Sequence, residues 1–427
     1  MERIGSFEHS PQLAVAVSGG ADSMALLLLA HRWAKDKGGA VTALTVDHNL
    51  RSESRQEAEQ VHNWCRQHGI THHILSWVPP VLSSGLQAHA REARYHLLTQ
   101  WCHAHRVLHL LVAHHEGDQA ETLFFRLARG SGMDGLASMP AVSQLDGVRL
   151  IRPLLNTPKS VLEETLRHYN QKWIEDPTNQ QAYYTRNHIR QQLESSDGAD
   201  GIILRANIMA QKFGVIRNTL ENKLASHLTQ VISLFPEGYA IIGHKAFLQL
   251  APELAMRALS ALTVTLSGDS YTPRSEKLER FYKEIITDRI IRRRSFAGLL
   301  FIRRLTKGYW LVCREPNALE KPRALADSEN RLWDQRFRVS WTGDSLHMNV
   351  RALGADGLKI IEKQGNKQTL ISEKAVLTVL PSFWHLEELV AVPHISCCHP
   401  DYRHMDFNTV FFPAKPLAGR AFFSMNT

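Results

Sequence analysis

Residues 18–23, Ser-Gly-Gly-Ala-Asp-Ser, stand between an apolar run at 13–17 and a segment where Met24, Ala25, Leu28 and Leu29 recur at helical spacing. A short apolar run rich in β-branched residues reads as a buried strand of a parallel sheet, and the spacing after it as a helix. Gly19 and Gly20 permit positive φ and let another group come close to the backbone. Strand, glycine turn and helix start together present free N–H groups at the positive end of a helix dipole, a seat for phosphate. The turn is not a P-loop, because no Lys follows the glycines, and no G-x-G-x-x-G is formed. A carboxylate, Asp22, stands there instead, with Ser18 and Ser23 on either side. Carboxylate and phosphate repel unless a cation intervenes, and magnesium takes oxygens from both. Ser18, Gly19, Gly20, Ala21, Asp22 and Ser23 are therefore the nucleotide candidates and Asp22 the metal candidate. The plain alternative is a βα turn with Asp22 as its cap.

A second group is "HHEGDQAET", residues 114–122. Asp118 and Glu121 lie three apart on one helix face. Asp118 either orients a cation or a substrate amine, or caps the helix. His114 and His115 have no third ligand at zinc spacing and read as hydrogen-bonding histidines at a strand end. Arg126 and Arg129 precede a flexible loop, "GSGMDG". Arg186 and Arg190 are four apart in "TRNHIR", so their forked donors share a face and suit phosphate oxygens. Asp176 and Asn179 in "EDPTN" read as turn residues. Cys397 to His404, "CCHPDYRH", lacks C-x-x-C spacing and does not read as a metal site.

These groups need a scaffold. Residues 1–175 alternate strand and helix patterns: a strand ending at Asp47-His48, a helix at 53–69, a strand at 71–78, a long helix at 86–106, a strand at 107–115, a helix at 118–130 and a fifth strand in "VRLIRPLL". Repeated βα units predict a parallel sheet covered on both faces, with ligands at the carboxyl ends of its strands. Those ends carry Ser18-Gly19-Gly20, Asp47-His48 and His114-His115.

The 427 residues are too many for one core. "ESSDGADG", 194–201, reads as a linker, followed by about a hundred mainly helical residues and a hairpin pattern in "RSFAGLLFIRRLTKGYWLVCREP". After a polar stretch at 316–330 the strand-like "RFRVSW", "LHMNVRAL" and "LVAVPHI" predict a small α+β unit. The expected domains are 1–195, 202–320 and 331–427. The net charge of +8 matches that of residues 271–323 alone, where 14 Lys or Arg face 6 Asp or Glu. Such a block suggests a polyanion partner, nucleic acid first, with Arg292, Arg293 and Arg294 as contacts; a solvated helix face is the alternative. There is no apolar signal core and no membrane-length apolar run, and five scattered cysteines suit a reducing cytoplasm.

"SGGADS", "AHHEGDQAETLFFRLARGSGMDGL" and "WIEDPTNQQAYYTRNHIR" together resemble the tRNA(Ile)-lysidine synthase family of PP-loop ATP pyrophosphatases. The motifs span residues 13–190, and the "WxEDPTN…RNxIR" element is the specific one. The resemblance implies a Rossmann-like, adenine nucleotide alpha hydrolase-like PP-loop domain. It implies ATP and Mg2+ as co-substrate and cofactor, and as partners a tRNA(Ile) with a CAU anticodon and free L-lysine; a homodimer is compatible with it. ATP would adenylate the C2 carbonyl oxygen of the wobble cytidine, releasing pyrophosphate, and the lysine ε-amine would displace AMP to give lysidine. Asp22, Asp118 and Arg190 would be catalytic, and Arg186 with Arg292, Arg293 and Arg294 would touch tRNA. The sequence departs from the family at Gly117, where an adjacent second Asp is usual. Two other readings remain: a PP-loop tRNA thiolase, disfavoured because no paired C-x-x-C is present, and a non-catalytic tRNA-binding relative, favoured only by Gly117.

Overall fold

The computed structural model describes residues 1–48, 54–78, 86–175, 189, 193, 198–269, 271–290, 292–324, 331–342, 348–363, 373–413 and 415–418. The chain forms two compact units, Met1–Glu221 and Asn222–Arg420.

The first unit is built on six strands: β1 (Gln12–Ala16), β2 (Ala40–Asp47), β3 (Thr71–Ser76), β4 (His109–Leu111), β5 (Val142–Leu145) and β6 (Val148–Ile151). Their order is β3-β2-β1-β4-β6-β5. The first five strands in that order run parallel, and β5 folds back antiparallel on the edge of β6. The sequence pattern predicts the parallel strands; the β5–β6 hairpin is additional. Helices α1 (Ala21–Asp36), α2 (Ser54–Gln67), α3 (Leu86–Ala104), α4 (Glu116–Ala128), α5 (Met133–Leu136) and α6 (Lys159–His168) connect them.

The period of two along each strand explains why the apolar runs are continuous. On β1, Leu13, Val15 and the following Val17 join the core built with α1 and Leu162 of α6, while Ala14 and Ala16 face the opposite core, which holds Leu98 and Cys102 of α3. On β4, Leu111 faces the first core and Leu110 the second. A strand buried on both faces has no solvent side on which to place a polar residue, so alternation disappears from its sequence. Each fully buried Leu or Val contributes about 1.5–3 kcal/mol.

The second unit holds three antiparallel sheets. Five strands at 232–235, 239–243, 293–296, 299–304 and 309–314 pair in the order β7-β8-β11-β10-β9, and helices Pro252–Ser267 and Ser275–Ile286 belong to the same stretch. The expected hairpin is thus part of a meander. The expected α+β segment supplies the strands Phe337–Thr342, Met348–Ala352 and Glu388–Val392 and the helix Gly354–Lys363. Leu311 and Cys313 share one core with Leu353, Val376 and Trp384. Asp334 is buried between the guanidinium groups of Arg314 (3.1 Å) and Arg336 (2.7 Å). No helix among the described residues is long and apolar enough to cross a membrane.

Candidate functional site

The loop between β1 and α1 is held from three directions. The Ser23 hydroxyl donates to Gly20 O (2.9 Å) and accepts from Ser18 N (3.1 Å). With its own proton committed, Ser23 Oγ can only accept from the Ser18 hydroxyl, 3.3 Å away. Gly19 has φ +87° and its carbonyl accepts from Ile174 N (2.9 Å). A Cβ at Gly19 would lie 2.7 Å from Ile174 Cδ1 and 3.0 Å from Val61 Cγ2, so only glycine satisfies both the dihedral and the packing. Below the loop, Thr45 Oγ1 donates to Val17 O (2.9 Å) and lies 2.8 Å from His72 Nε2, which must then be the donor. His72 Nδ1 is left to accept from His62 Nδ1 at 3.3 Å. Burial and the neighbouring His62 and His73 push His72 down to about 4, so it stays neutral in this chain of bonds.

Gly20 is the N-cap of α1 and makes no side-chain cap. Asp22 is the second helical residue, beside the free N–H groups, and not the cap. Its Oδ2 is 3.7 Å from His115 Nε2, and Asp118 Oδ2 is 3.7 Å from the same nitrogen. The α1 and α4 N-termini, following adjacent strands, thus aim two carboxylates at one point. Asp118 also accepts from His115 N (3.0 Å), and His115 Nδ1 accepts from Gly117 N (3.0 Å), a reciprocal cap of α4. The Nδ1 bond leaves the imidazole proton on Nε2, between the two carboxylates.

Gly117 takes part in this geometry. A Cβ there would stand 2.7 Å from His115 Cε1 and 3.2 Å from Nδ1. The space of a side chain at 117 is therefore filled by the folded-back imidazole. The sequence contains both residues, but their dependence on one another is visible only in three dimensions.

Arg126 points away from a ligand role: Nη1 donates to Gly135 O (2.6 Å) and Ser138 O (2.9 Å), which ties the "GSGMDG" loop into the short helix α5. Arg129 lies over the Phe125 ring. Asp47 accepts from Ser54 Oγ (2.7 Å), joining the end of β2 to the start of α2. Arg186, Arg190, Asp176 and Asn179 lie outside the described residues, although Trp173 and Ile174 of the same motif pack on the core. Arg292, Arg293 and Arg294 are exposed; Arg294 forks onto Glu284 (3.0 and 3.3 Å), and Arg293 precedes it in a strand, hence on the other face. Cys65 and Cys102 are buried in α2 and α3, and burial pushes both thiols up to about 12. Among the described residues no group of three His, Cys, Asp or Glu side chains is arranged to hold a metal. Two convergent carboxylates beside a phosphate seat are nonetheless the hard oxygen donors that Mg2+ takes together with phosphate oxygens and water.

Comparison with known proteins agrees with this fold. A family profile described as a PP-loop domain matches residues 2–196. A tRNA(Ile)-lysidine synthase of Orientia tsutsugamushi is 34% identical over 412 residues, covering 92% of this chain and 91% of that protein. The chain belongs to the tRNA(Ile)-lysidine synthase family. The Rickettsia felis member is 34% identical over 96% of this chain and 95% of its own. The Wolbachia pipientis wMel member is 35% identical over 79% and 78%. The similarity therefore extends past the PP-loop domain into the second unit, and family membership is carried by nearly the whole chain.

Proposed function

We propose that this chain is an ATP-dependent ligase that joins lysine to C2 of the wobble cytidine in the CAU anticodon of a tRNA(Ile), giving lysidine, AMP and pyrophosphate. Relatives named for lysidine synthesis match nearly end to end, which supports tRNA lysidine formation by an enzyme with an ATP-using PP-loop domain. The observation that carries the mechanism is the convergence of Asp22 and Asp118 on one point at the mouth of the Ser18–Ser23 loop.

In this reading the loop N–H groups and the Ser18 and Ser23 hydroxyls hold the phosphates that leave as pyrophosphate, preorganised for the charge that develops there. Val46 to His48, at the neighbouring strand end, borders the adenine. Asp22 would hold Mg2+, which when bound supplies neutralisation of the phosphate charge. The C2 oxygen of the cytidine attacks the α-phosphorus, so the tRNA itself carries the adenylate. No thiol is poised to attack: Cys65 and Cys102 are buried and protonated. The lysine ε-ammonium, with pKa ~10.4, must lose a proton before it attacks, and Asp118 orients it and accepts that proton. Arg190 takes a catalytic role and Arg186 a tRNA-binding one as forked donors to phosphate oxygens, and Arg292, Arg293 and Arg294 meet the tRNA backbone. The division into a catalytic domain 1–195, a basic domain 202–320 and a C-terminal domain 331–427, a cytoplasmic location and a homodimer belong to the same proposal.

The test uses Asp118→Asn with α-labelled ATP and tRNA. Label should accumulate on the RNA and resist discharge by lysine. Absence of labelling would move Asp118 to the metal, and label on the protein would refute direct attack. A thiolase would require sulfur and ignore lysine. A non-catalytic relative would leave ATP intact.

A further inference from the structure

The Val17–Ser18 peptide joins β1 to the phosphate loop and is held from both sides. On one side Ser18 N donates to Ser23 Oγ (3.1 Å). On the other, Val17 O accepts from the hydroxyl of Thr45 on β2 (2.9 Å). The C=O and N–H of a trans peptide point in opposite directions, so these two bonds fix the rotation of the plane. Were the plane to turn over, the carbonyl oxygen would enter the N–H groups that seat phosphate and repel the ligand. Ser23 also serves Gly20 O (2.9 Å) and the Ser18 hydroxyl (3.3 Å), and the hold on the carbonyl end falls to Thr45.

Thr45 can hold Val17 only if its single proton is not drawn to another acceptor. His72 Nε2 lies 2.8 Å from Thr45 Oγ1. In one tautomer that nitrogen is a donor and sends the hydroxyl proton to Val17 O; in the other it is an acceptor and competes for it. The choice is made one step further out. His72 Nδ1 lies 3.3 Å from Nδ1 of His62 on α2, so one of the two nitrogens must donate. With His62 as the donor, His72 keeps its proton on Nε2, and every bond from His62 to Val17 is satisfied. Thr45 and His72 are buried, where an unpaired polar group is costly, and His62 is the exposed end of the chain. Burial holds His72 down to about 4, so at neutral pH it carries one ring proton and the tautomer matters.

We infer that Thr45 is a positioning residue of the phosphate loop, and that His72, in the tautomer set by His62, aims the Thr45 hydroxyl at Val17. These side chains act on ATP through the Val17–Ser18 peptide. The inference rests on the ligase reading, in which the loop seats the leaving pyrophosphate, and extends it to residues outside the loop. Helix α2 serves the loop twice: Val61 packs where a Cβ at Gly19 would be (3.0 Å from Cγ2), and His62 directs the chain of protons.

The experiment compares Thr45→Val with Thr45→Ser. Valine keeps the branched shape and suits a strand but has no donor; serine keeps the donor and loses a methyl group. Packing ranks valine above serine, and positioning ranks serine above valine. Pyrophosphate release from ATP in the presence of tRNA is measured per folded molecule, with ATP affinity by equilibrium dialysis and the KM for lysine in parallel. Thr45→Val should lower kcat/KM for ATP about tenfold, the loss expected for a buried carbonyl left without its donor, whereas Thr45→Ser should stay within about twofold of the wild type. The KM for lysine should not move. His72→Met should lower kcat/KM for ATP in the wild-type background and add nothing to Thr45→Val, because it acts through that hydroxyl. Thr45→Ser as damaging as Thr45→Val, or losses in Thr45→Val and His72→Met that multiply, would overturn the inference. Wild-type protein that binds ATP and releases no pyrophosphate with tRNA would overturn the ligase reading instead. The ATP affinities of the same variants, expected in the same order, then decide the positioning role.

Discussion

Gly117→Ala isolates the pairing of Gly117 with His115. In a helix's first turn, replacing Gly by Ala should stabilise by up to about 1 kcal/mol. Here the new Cβ would stand 2.7 Å from His115 Cε1, which lies in a ring and cannot yield by rotating a flexible end. The imidazole must swing out, breaking the Gly117 N to His115 Nδ1 bond and the reciprocal cap. Loss of a cap costs about 0.5–2 kcal/mol, so after the propensity gain the variant should open α4 more easily by up to about 1 kcal/mol. In a His115→Ala background there is no ring to displace, and Gly117→Ala should stabilise. The difference between the two backgrounds is a coupling energy of about 0.5–2 kcal/mol, that of the cap itself, read as a double-mutant cycle. Amide hydrogen exchange of a peptide spanning 112–124 measures it locally, without assuming that two units unfold together. Equal effects of Gly117→Ala in both backgrounds would refute the argument that the imidazole occupies the place of a side chain at 117.

Asp22→Ala should lower tRNA adenylation by a factor corresponding to about 3 kcal/mol or more of barrier, with an unchanged circular dichroism spectrum; near-normal pyrophosphate release would remove Asp22 from the site. His72 and His114 stay neutral down to about 4 in the folded chain but titrate at 6.5 when exposed. The unfolded chain therefore takes up protons that the folded chain refuses, and stability falls as pH drops from 6.5 to about 4. His72 contributes about 3 kcal/mol to that loss, and His72→Gln should flatten a urea-midpoint profile across this window. Replacing Arg292, Arg293 and Arg294 by Ala should weaken tRNA binding and reduce the slope of log K against log salt by up to about 3. Arg294 alone should contribute least because Glu284 already holds it; an unchanged slope would make the block a solvated face.

The βα scaffold was legible because its core strands are buried on both faces, which leaves uninterrupted apolar runs such as 13–17 and 110–113. The loop was legible because glycine at 19 answers a local constraint, a positive φ. The edge hairpin at 142–151 was half visible: Val148 to Ile151 is apolar enough to read as a strand, whereas its partner mixes Ser143 and Gln144 with apolar residues. In the second unit, strands as short as 232–235, with both central residues exposed, carry too little pattern to separate from the helices around them. The site's finer structure was hidden for another reason. The meeting of His115 with Asp22 joins residues from different βα units, and no spacing along the chain encodes that encounter. The cap of α4 combines both: Asp118 suggested one, but the ring that answers it and the glycine that admits the ring did not announce themselves.

Joining lysine to tRNA in this way cleaves ATP between its α- and β-phosphates. The most direct measurement incubates the purified protein with tRNA(Ile) bearing a CAU anticodon, ATP, Mg2+ and labelled lysine. Acid-stable label on the RNA and the nucleotide products are followed together. One AMP and one pyrophosphate should form for each lysine incorporated, at the wobble cytidine and with no label on the protein. ADP and phosphate as products, or ATP cleavage without lysine on the RNA, would contradict this reaction.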